Sequence, residues 1–225
     1  YSPYHTYAAA IQQAMYFQAY VHKSGIREEQ YAQIALNGRR NAERNPKAVY
    51  RTPMTLDDYL ASPMISTPLR MFECDVPIEA IGSSMAYRNS WTQLDALDTQ
   101  AQPKVAEMMW SRTDLKSKDV DFAELYDGFS FHSINWLENF GFCERYGAGD
   151  FIDGGHNIAL DGMLPINTNG GALSAGRMHA YGQVHEACLQ LWRGAGERQI
   201  AKPLNVAALS TAGGPLAGCM LLTVE

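Results

Sequence analysis

The residues best suited to chemistry crowd into one run, Asn167-Thr168-Asn169-Gly170-Gly171-Ala172-Leu173-Ser174-Ala175-Gly176-Arg177-Met178-His179-Ala180-Tyr181-Gly182. Ser174, Arg177, His179 and Tyr181 are side chains that can move a proton, hold an anion or orient a ligand. Gly170-Gly171 allows backbone angles that other residues resist and lets a ligand approach the main chain. An amphipathic pattern follows at once, so the run reads as a loop delivering polar groups to a helix start, where free N–H groups favour developing negative charge. The plainer reading is a solvated glycine loop with an arginine at its edge. A second group, Tyr126-Asp127-Gly128-Phe129, ends an alternating run from Val120 to Leu125 and precedes a helical pattern. Strand, polar turn and helix place side chains at the carboxyl end of a sheet strand.

The surrounding elements must position these groups. Apolar spacing predicts helices over Thr6–Lys23 and Arg27–Asn41. The basic, polar run Asn37-Gly38-Arg39-Arg40-Asn41-Ala42-Glu43-Arg44-Asn45-Pro46 overlaps the end of the second. From Arg39 onward it reads as a solvated loop, or as a patch for a phosphate-bearing ligand. Thr55 is a helix cap with Asp57 and Asp58 in the first turn. Leu69–Val76 reads as a buried strand. It abuts a second strand at Ile78–Gly82 with only Pro77 between them, which suggests residues missing near Pro77. Leu94–Trp110 reads as a helix despite Pro103. Ser130–Phe140 is a helix stopped by Gly141. Tyr146–Met163 reads as a loop, and Leu164–Ile166 as a short strand. Ala180–Gly194 is a helix with Val184, Ala187, Cys188, Leu191 and Trp192 on its apolar face. Asn205–Thr211 and Leu216–Glu225 form a hairpin across Ala212-Gly213-Gly214-Pro215. The second half is thus β-α-β-α-β-β, an α/β architecture with a mixed sheet.

Length and composition set the frame. The chain has 225 residues, 46% hydrophobic and 19% charged, with a net charge of −6. That is soluble globular composition with room for a substantial core. The negative balance argues against nucleic acid, whose binding rests on phosphate neutralisation by Lys and Arg. Cys74, Cys143, Cys188 and Cys219 are widely separated, with no CxxC pair and no zinc-ligand spacing. They read as buried thiols of a cytoplasmic protein. No apolar run is long enough to span a membrane.

Four motifs in consistent order carry a resemblance. Glu124-Leu125-Tyr126-Asp127-Gly128-Phe129, Phe140-Gly141-Phe142-Cys143, the run from Asn167 to Gly176, and the Gly213-Gly214 hairpin resemble the C-terminal half of the thiolase superfamily. They are most similar to sterol-carrier-type thiolases, thiolase-like lipid-transfer proteins and steroid side-chain aldolases. The run from Asn37 to Pro46 resembles the loop region of the same proteins. The resemblance implies a layered α-β-α-β-α fold, with residues 1–77 the remainder of an N-terminal half and 78–225 a complete C-terminal half. It implies no permanently bound cofactor and no metal, a coenzyme A thioester as substrate, and a homodimer. It also implies a small OB-fold, zinc-ribbon partner of the DUF35 type.

The departures from the thiolase pattern define the expected chemistry. Thiolases carry their cysteine nucleophile in an N-terminal portion that this sequence does not contain. Where they place a histidine after the loop glycine, this chain has Arg177. Their second cysteine matches about Ser210, and Tyr126-Asp127-Gly128-Phe129 stands where they read Asn-Glu-Ala-Phe or His-Asp-Cys-Phe. Claisen chemistry needs a thiolate, whereas retro-aldol cleavage of a β-hydroxyacyl-CoA needs only proton transfer and a held enolate. The steroid aldolases resemble thiolases that work with tyrosines. The resemblance therefore implies Tyr126 as the proton-transferring group, with Asp127 orienting it or the turn. His179 is the first choice for the second participant, and Tyr181 and Arg177 are alternatives. Asn169, Gly170, Gly171, Ser174, Arg177, Gly213 and Gly214 would line the substrate. His132 and His185 read as packed or surface helix residues. The alternatives are a sterol-carrier-type thiolase and a non-catalytic lipid- or acyl-CoA-binding subunit.

Overall fold

The computed structural model describes residues 9–74, 101–213 and 217–224. Its helices are α1 (Ala9–Ser24), α2 (Glu28–Glu43), α3 (Leu56–Ala61), α4 (Gln102–Trp110), α5 (Ser130–Asn139), α6 (Ala148–Ile152), α7 (Gly171–Ser174) and α8 (Tyr181–Leu191). Its strands are β1 (Met64–Ser66), β2 (Leu69–Arg70), β3 (Phe122–Glu124), β4 (Val206–Ala212) and β5 (Ala217–Thr223).

β3, β4 and β5 form a mixed sheet in that order, β3 parallel and β5 antiparallel to β4. Alternate residues of a strand face opposite sides, and two cores result. Val206 and Ala208 join Ala123 and Leu125 in the larger core with α1, α2 and α5. Ala207 and Leu209 join Phe122 in a smaller core under α8. Helices therefore cover both faces of the sheet. The most enclosed is α5, buried from Ser130 to Glu138. Phe131 stacks on Phe17 of α1 at 5.1 Å, and the Trp136 indole N–H donates to the Ala212 carbonyl at 3.0 Å.

α2 matches the helix expected over Arg27–Asn41 to within two residues at each end, and the correction falls on the polar run that overlaps it. The helix runs through Glu43, so Arg39, Arg40 and Asn41 belong to a helix and not to a solvated loop. Its surroundings are protein on nearly every side. Asn37 and Asn41 lie four residues apart on one helix face. Their side-chain amides donate to the Ile166 carbonyl at 3.0 and 3.1 Å, and Asn41 also to that of Asn167 at 3.0 Å. Asn45, four residues further, donates to the Asn169 carbonyl at 2.9 Å. Arg39 is buried as well. Its guanidinium lies 5.3 Å from the ring centroids of both Tyr50 and Phe72, and it donates to Ser174 Oγ at 3.4 Å and to the Thr52 carbonyl at 3.2 Å.

Other elements depart from expectation for identifiable reasons. The strand at Leu69 stops after Arg70 and turns into a short 3₁₀ segment, Met71–Glu73, capped by the Glu73 carboxylate accepting from Arg70 N–H at 2.9 Å. Pro103 does not interrupt α4; it sits in the first turn, where its missing N–H is harmless. The glycine-rich stretch after Tyr146 contains α6. The strand at Leu164–Ile166 is reduced to one parallel bridge between Ile166 and Ala123. Cys143 lies in the turn after α5 and not on a helix face, and Trp192 is exposed beyond the end of α8. The expected break near Pro77, the strand at Ile78–Gly82 and the start of the helix expected from Leu94 fall outside the described residues.

Glu73 is buried against the start of α5, where its carboxylate also accepts from Ser130 Oγ at 2.9 Å. Burial pushes its pKa up from 4.5 to about 7, and the hydrogen bonds it accepts oppose that only in part. The folded chain thus keeps a proton that the unfolded chain releases near 4.5. That contribution to stability is complete below pH 4.5 and is lost as the pH rises to about 7. Glu138 and Glu124 shift in the same direction through burial. Urea unfolding of Glu73→Gln should therefore show a shallower loss of stability between pH 5 and 7.5 than the wild type, by roughly 2–3 kcal/mol. Parallel pH profiles would contradict this.

Candidate active site

The glycine run is a wall built from the inside. Asn167 adopts a left-handed conformation (φ 49°), and its side-chain carbonyl accepts from Leu125 N–H at 2.7 Å. Thr168 donates to Glu124 Oε1 through its N–H at 3.0 Å and lies 2.8 Å from it through its hydroxyl. Asn169 Oδ1 accepts from Gly171 N–H at 2.7 Å, and its amide donates to the Gly182 carbonyl at 3.3 Å. The glycines answer to internal packing. A Cβ on Gly170 (φ 104°) would stand 2.7 Å from Ala42 Cβ, and one on Gly171 (φ 62°) 2.0 Å from Asp127 Oδ2. Ser174 is buried, bonded by Arg39, and its carbonyl accepts from Tyr50 N–H at 3.0 Å. The freedom expected to admit a ligand is used by α2 and by Asp127.

Asp127 therefore orients the loop. Its carboxylate accepts from Ala172 N–H at 2.7 Å, from Leu173 N–H at 3.3 Å and from Gln183 Nε2 at 3.3 Å. Those N–H groups open α7, so the carboxylate occupies the position where a helix start attracts negative charge.

Tyr126 stands at the carboxyl end of β3. Its N–H donates to Ser210 Oγ on β4 at 2.9 Å, and its ring is largely buried. A Cβ on Gly128 would lie 2.5 Å from the Tyr126 hydroxyl oxygen, so the phenol folds over a residue that must lack a side chain. On its other side the ring stacks on His132 of α5, with centroids 5.6 Å apart and planes inclined at 29°. The Cδ2–Nε2 edge of His132 packs on Gly213, where a Cβ would come within 2.5 Å of it and within 3.0 Å of Gln102 Nε2. Gly214 lies outside the described residues.

His179 and Tyr181 approach from the opposite side of Ser210. With Ser210, Thr211, Cys219 and Met220 they line a cleft of about 220 Å³. Both are exposed, as is Arg177. His179 and Ala180 have φ of 45° and 73°, left-handed angles that cost backbone strain at the entry to α8. Ser210 is thus common to both, bonded to the Tyr126 backbone and lining the cleft with His179, while Tyr126 itself does not line that cleft.

Sequence reading missed the buried carboxyl pair beneath the loop. Glu124 reads as the polar side of an alternating strand, yet it is fully buried against Glu186 of α8. Arg198 donates to both Glu186 oxygens, at 3.1 and 2.9 Å. Burial and then the Glu186 charge raise the Glu124 pKa well above the carboxylate range. The cluster holds Thr168 in place through Glu124 and Glu186. Two of the thiols are quiet: burial pushes Cys143, in the turn after α5, up to about 12 and Cys219, on β5, to about 11. Among the described residues, no cluster of His, Cys, Asp and Glu is arranged to hold a metal ion.

A parallel strand end, a glycine loop behind it and a terminal hairpin over it define a thiolase-type half-site, and the chain belongs to the thiolase C-terminal domain-like family, whose model matches residues 82–222. The fold is thiolase-like. Among its relatives are a steroid side-chain-cleaving aldolase of Thermomonospora curvata, 29% identical over 92% of this chain and 60% of its own length, and a 17-hydroxy-3-oxo-4-pregnene-20-carboxyl-CoA lyase of Mycobacterium tuberculosis, 30% identical over 94% and 62%. The solved Ltp2-ChsH2(DUF35) aldolase superposes with a TM-score of 0.84 at 26% identity, covering 99% of this chain and 65% of that one. The chain spans about 60% of the length of these curated relatives.

Gly171→Ala should destabilise the protein by about 2–4 kcal/mol, combining a strained φ with overlap on Asp127. Gly182→Ala, in α8 and with its nearest contact at 3.5 Å, should be neutral or slightly stabilising. Urea unfolding of the pair checks this, and equal effects would refute the packing argument.

Proposed function

We propose that this chain carries the catalytic wall of a thiolase-like aldolase, a carbon–carbon lyase cleaving a β-hydroxyacyl-CoA, with a steroid side-chain CoA thioester as the substrate class. The observation behind this reading is Tyr126, held at the end of β3 over Gly128, in a chain similar along nearly its whole length to proteins named for that cleavage. In the reaction a base takes the β-hydroxyl proton, the bond between the carbinol and α-carbons breaks, and the electron pair passes to a thioester enolate. The ketosteroid leaves. Protonation of the enolate at the α-carbon gives the short acyl-CoA. Tyr126 moves the proton, while the enolate oxygen is held by donors from the cleft side, His179 first and then Tyr181 or Arg177. Asp127, Asn169, Gly170, Gly171 and Ser174 fix the wall along which the thioester lies, and Gly213 and Gly214 belong to the substrate side in this reading.

Two features favour lyase over thiolysis. Ser210 stands where thiolases resemble one another in carrying a second cysteine, and its hydroxyl is bound to the Tyr126 backbone. Cys219, on the adjacent strand, faces the α4 carbonyl of Val105 at 3.5 Å and is poorly ionised. In this reading coenzyme A enters only as part of the substrate and no cofactor is resident. The working protein is a cytoplasmic homodimer accompanied by an OB-fold, zinc-ribbon partner of the DUF35 type. The Ltp2-ChsH2(DUF35) aldolase supports that pairing. No helix among the described residues is long and apolar enough to cross a membrane.

Tyr126→Phe should lower kcat for aldol cleavage by about 10²–10⁴-fold while CoA-ester binding stays within about threefold. Unchanged turnover would remove Tyr126 from the mechanism. Release of a short acyl-CoA from a 17-hydroxysteroid acyl-CoA should need no free coenzyme A, and a strict requirement for it would mark a sterol-carrier-type thiolase instead.

A further inference from the structure

His132 is fully buried on α5, and neither ring nitrogen has a hydrogen-bond partner among the described residues. Packing alone does not account for this. An unpaired buried nitrogen costs free energy that a phenylalanine of similar shape would avoid. The ring is instead held in a fixed place, stacked on Tyr126 at 5.6 Å, edge-on to Phe129 at 5.6 Å and pressed on the bare α-carbon of Gly213. We propose that His132 is a positioning residue for Tyr126: it supports the phenol by stacking and supplies a hydrogen bond to the phenol oxygen as that oxygen gives up its proton. This rests on Tyr126 as the proton-transferring group.

The chemistry of the pocket suits that role. Burial pushes the His132 pKa down to about 3, and no charged neighbour contributes to the shift. Among the groups packed on it are the rings of Tyr126 and Phe129 and the backbone of Gly213, with the Gln102 amide against the same glycine. The imidazole is therefore neutral across the working range and carries one N–H donor and one lone pair. A donor that stabilises the phenolate without itself ionising lowers the cost of deprotonating Tyr126. Neither His132 nitrogen is engaged in a hydrogen bond, so one can serve the phenol oxygen as charge develops on it, with a small shift of the stacked rings.

The test uses the intact protein labelled with ¹³C at the tyrosine ζ position and ¹⁵N in histidine. In His132→Phe, which keeps the stack and removes the nitrogens, kcat should fall about 10–100-fold with KM within about threefold. The Tyr126 phenol should also titrate at higher pH than in the wild type. His132→Gln, which restores an N–H donor, should recover part of both. Wild-type kcat in His132→Phe, or an unchanged Tyr126 titration, would overturn the proposal. Should His132→Phe fail to fold, the wild-type protein decides: the His132 ¹⁵N shifts must change as Tyr126 ionises, and constant shifts would overturn it. An inactive wild-type protein would defeat the aldolase reading alone, because the titration reads His132 without turnover.

Discussion

Asn37 and Asn41 of α2, with Asn45 just beyond its end, hold the chain at residues 166–169, and the candidate site is built outward from that grip. Carbonyls at Ile166, Asn167 and Asn169 leave the sheet edge where they have no strand partner, and a buried carbonyl without a donor is costly. Asn37, Asn41 and Asn45 supply the donors at the repeat of one helix face. Gly38 and Ala42 on the same stretch are small enough for the loop to come close, with the Gly170 carbonyl oxygen 3.1 Å from where a Gly38 Cβ would be. A larger side chain at either position would push the loop away from the donors that satisfy it. The polar ladder and the small residues are therefore one device.

Charge inside the protein follows from the same need to satisfy buried groups. Asp127 keeps its carboxylate buried because it accepts backbone N–H groups at a helix start, where the local dipole favours an anion. Glu124 accepts from Thr168 N–H, but Arg198 is engaged with both oxygens of Glu186, and burial with the Glu186 charge raises the Glu124 pKa. The two carboxyl groups stand within four residues of each other, yet one is held by the N–H groups of a helix start and the other lies against a second carboxyl group. Together they clamp the glycine run from below and from its start, so that its outer edge, carrying Arg177, His179 and Tyr181, is the part left to face a ligand.

Much of the framework was legible in the sequence. The alternation from Val120 to Leu125, the helix opened at Ser130 and the terminal hairpin all carry local period signals, and each appears close to its expected bounds. The Thr55 cap was equally readable, because a capping side chain bonds to its own first turn. The run from Asn37 to Pro46 misled because its polarity resembles that of a solvated loop. Polar residues are buried there only because another part of the chain, more than a hundred residues away, brings carbonyls to them. His132 is a packed helix residue as expected, but nothing in Phe131-His132-Ser133 indicates that Tyr126 will lie on the ring.

The sequence by itself determined which residues could do chemistry and which family pattern they form, because composition, periodicity and motif order are properties of the chain alone. It placed Tyr126 and Asp127 at a strand end and the glycine run ahead of a helix. Only the tertiary structure decided what each of them is bound to. Asp127, expected to orient Tyr126 or the turn, anchors the glycine loop through Ala172 and Leu173 N–H. The glycines turned from ligand-facing freedom into sites of close internal contact, and His132 turned from packing into the neighbour of the phenol. Those roles depend on distances between residues remote in sequence, and such distances are set by how the helices close over the sheet.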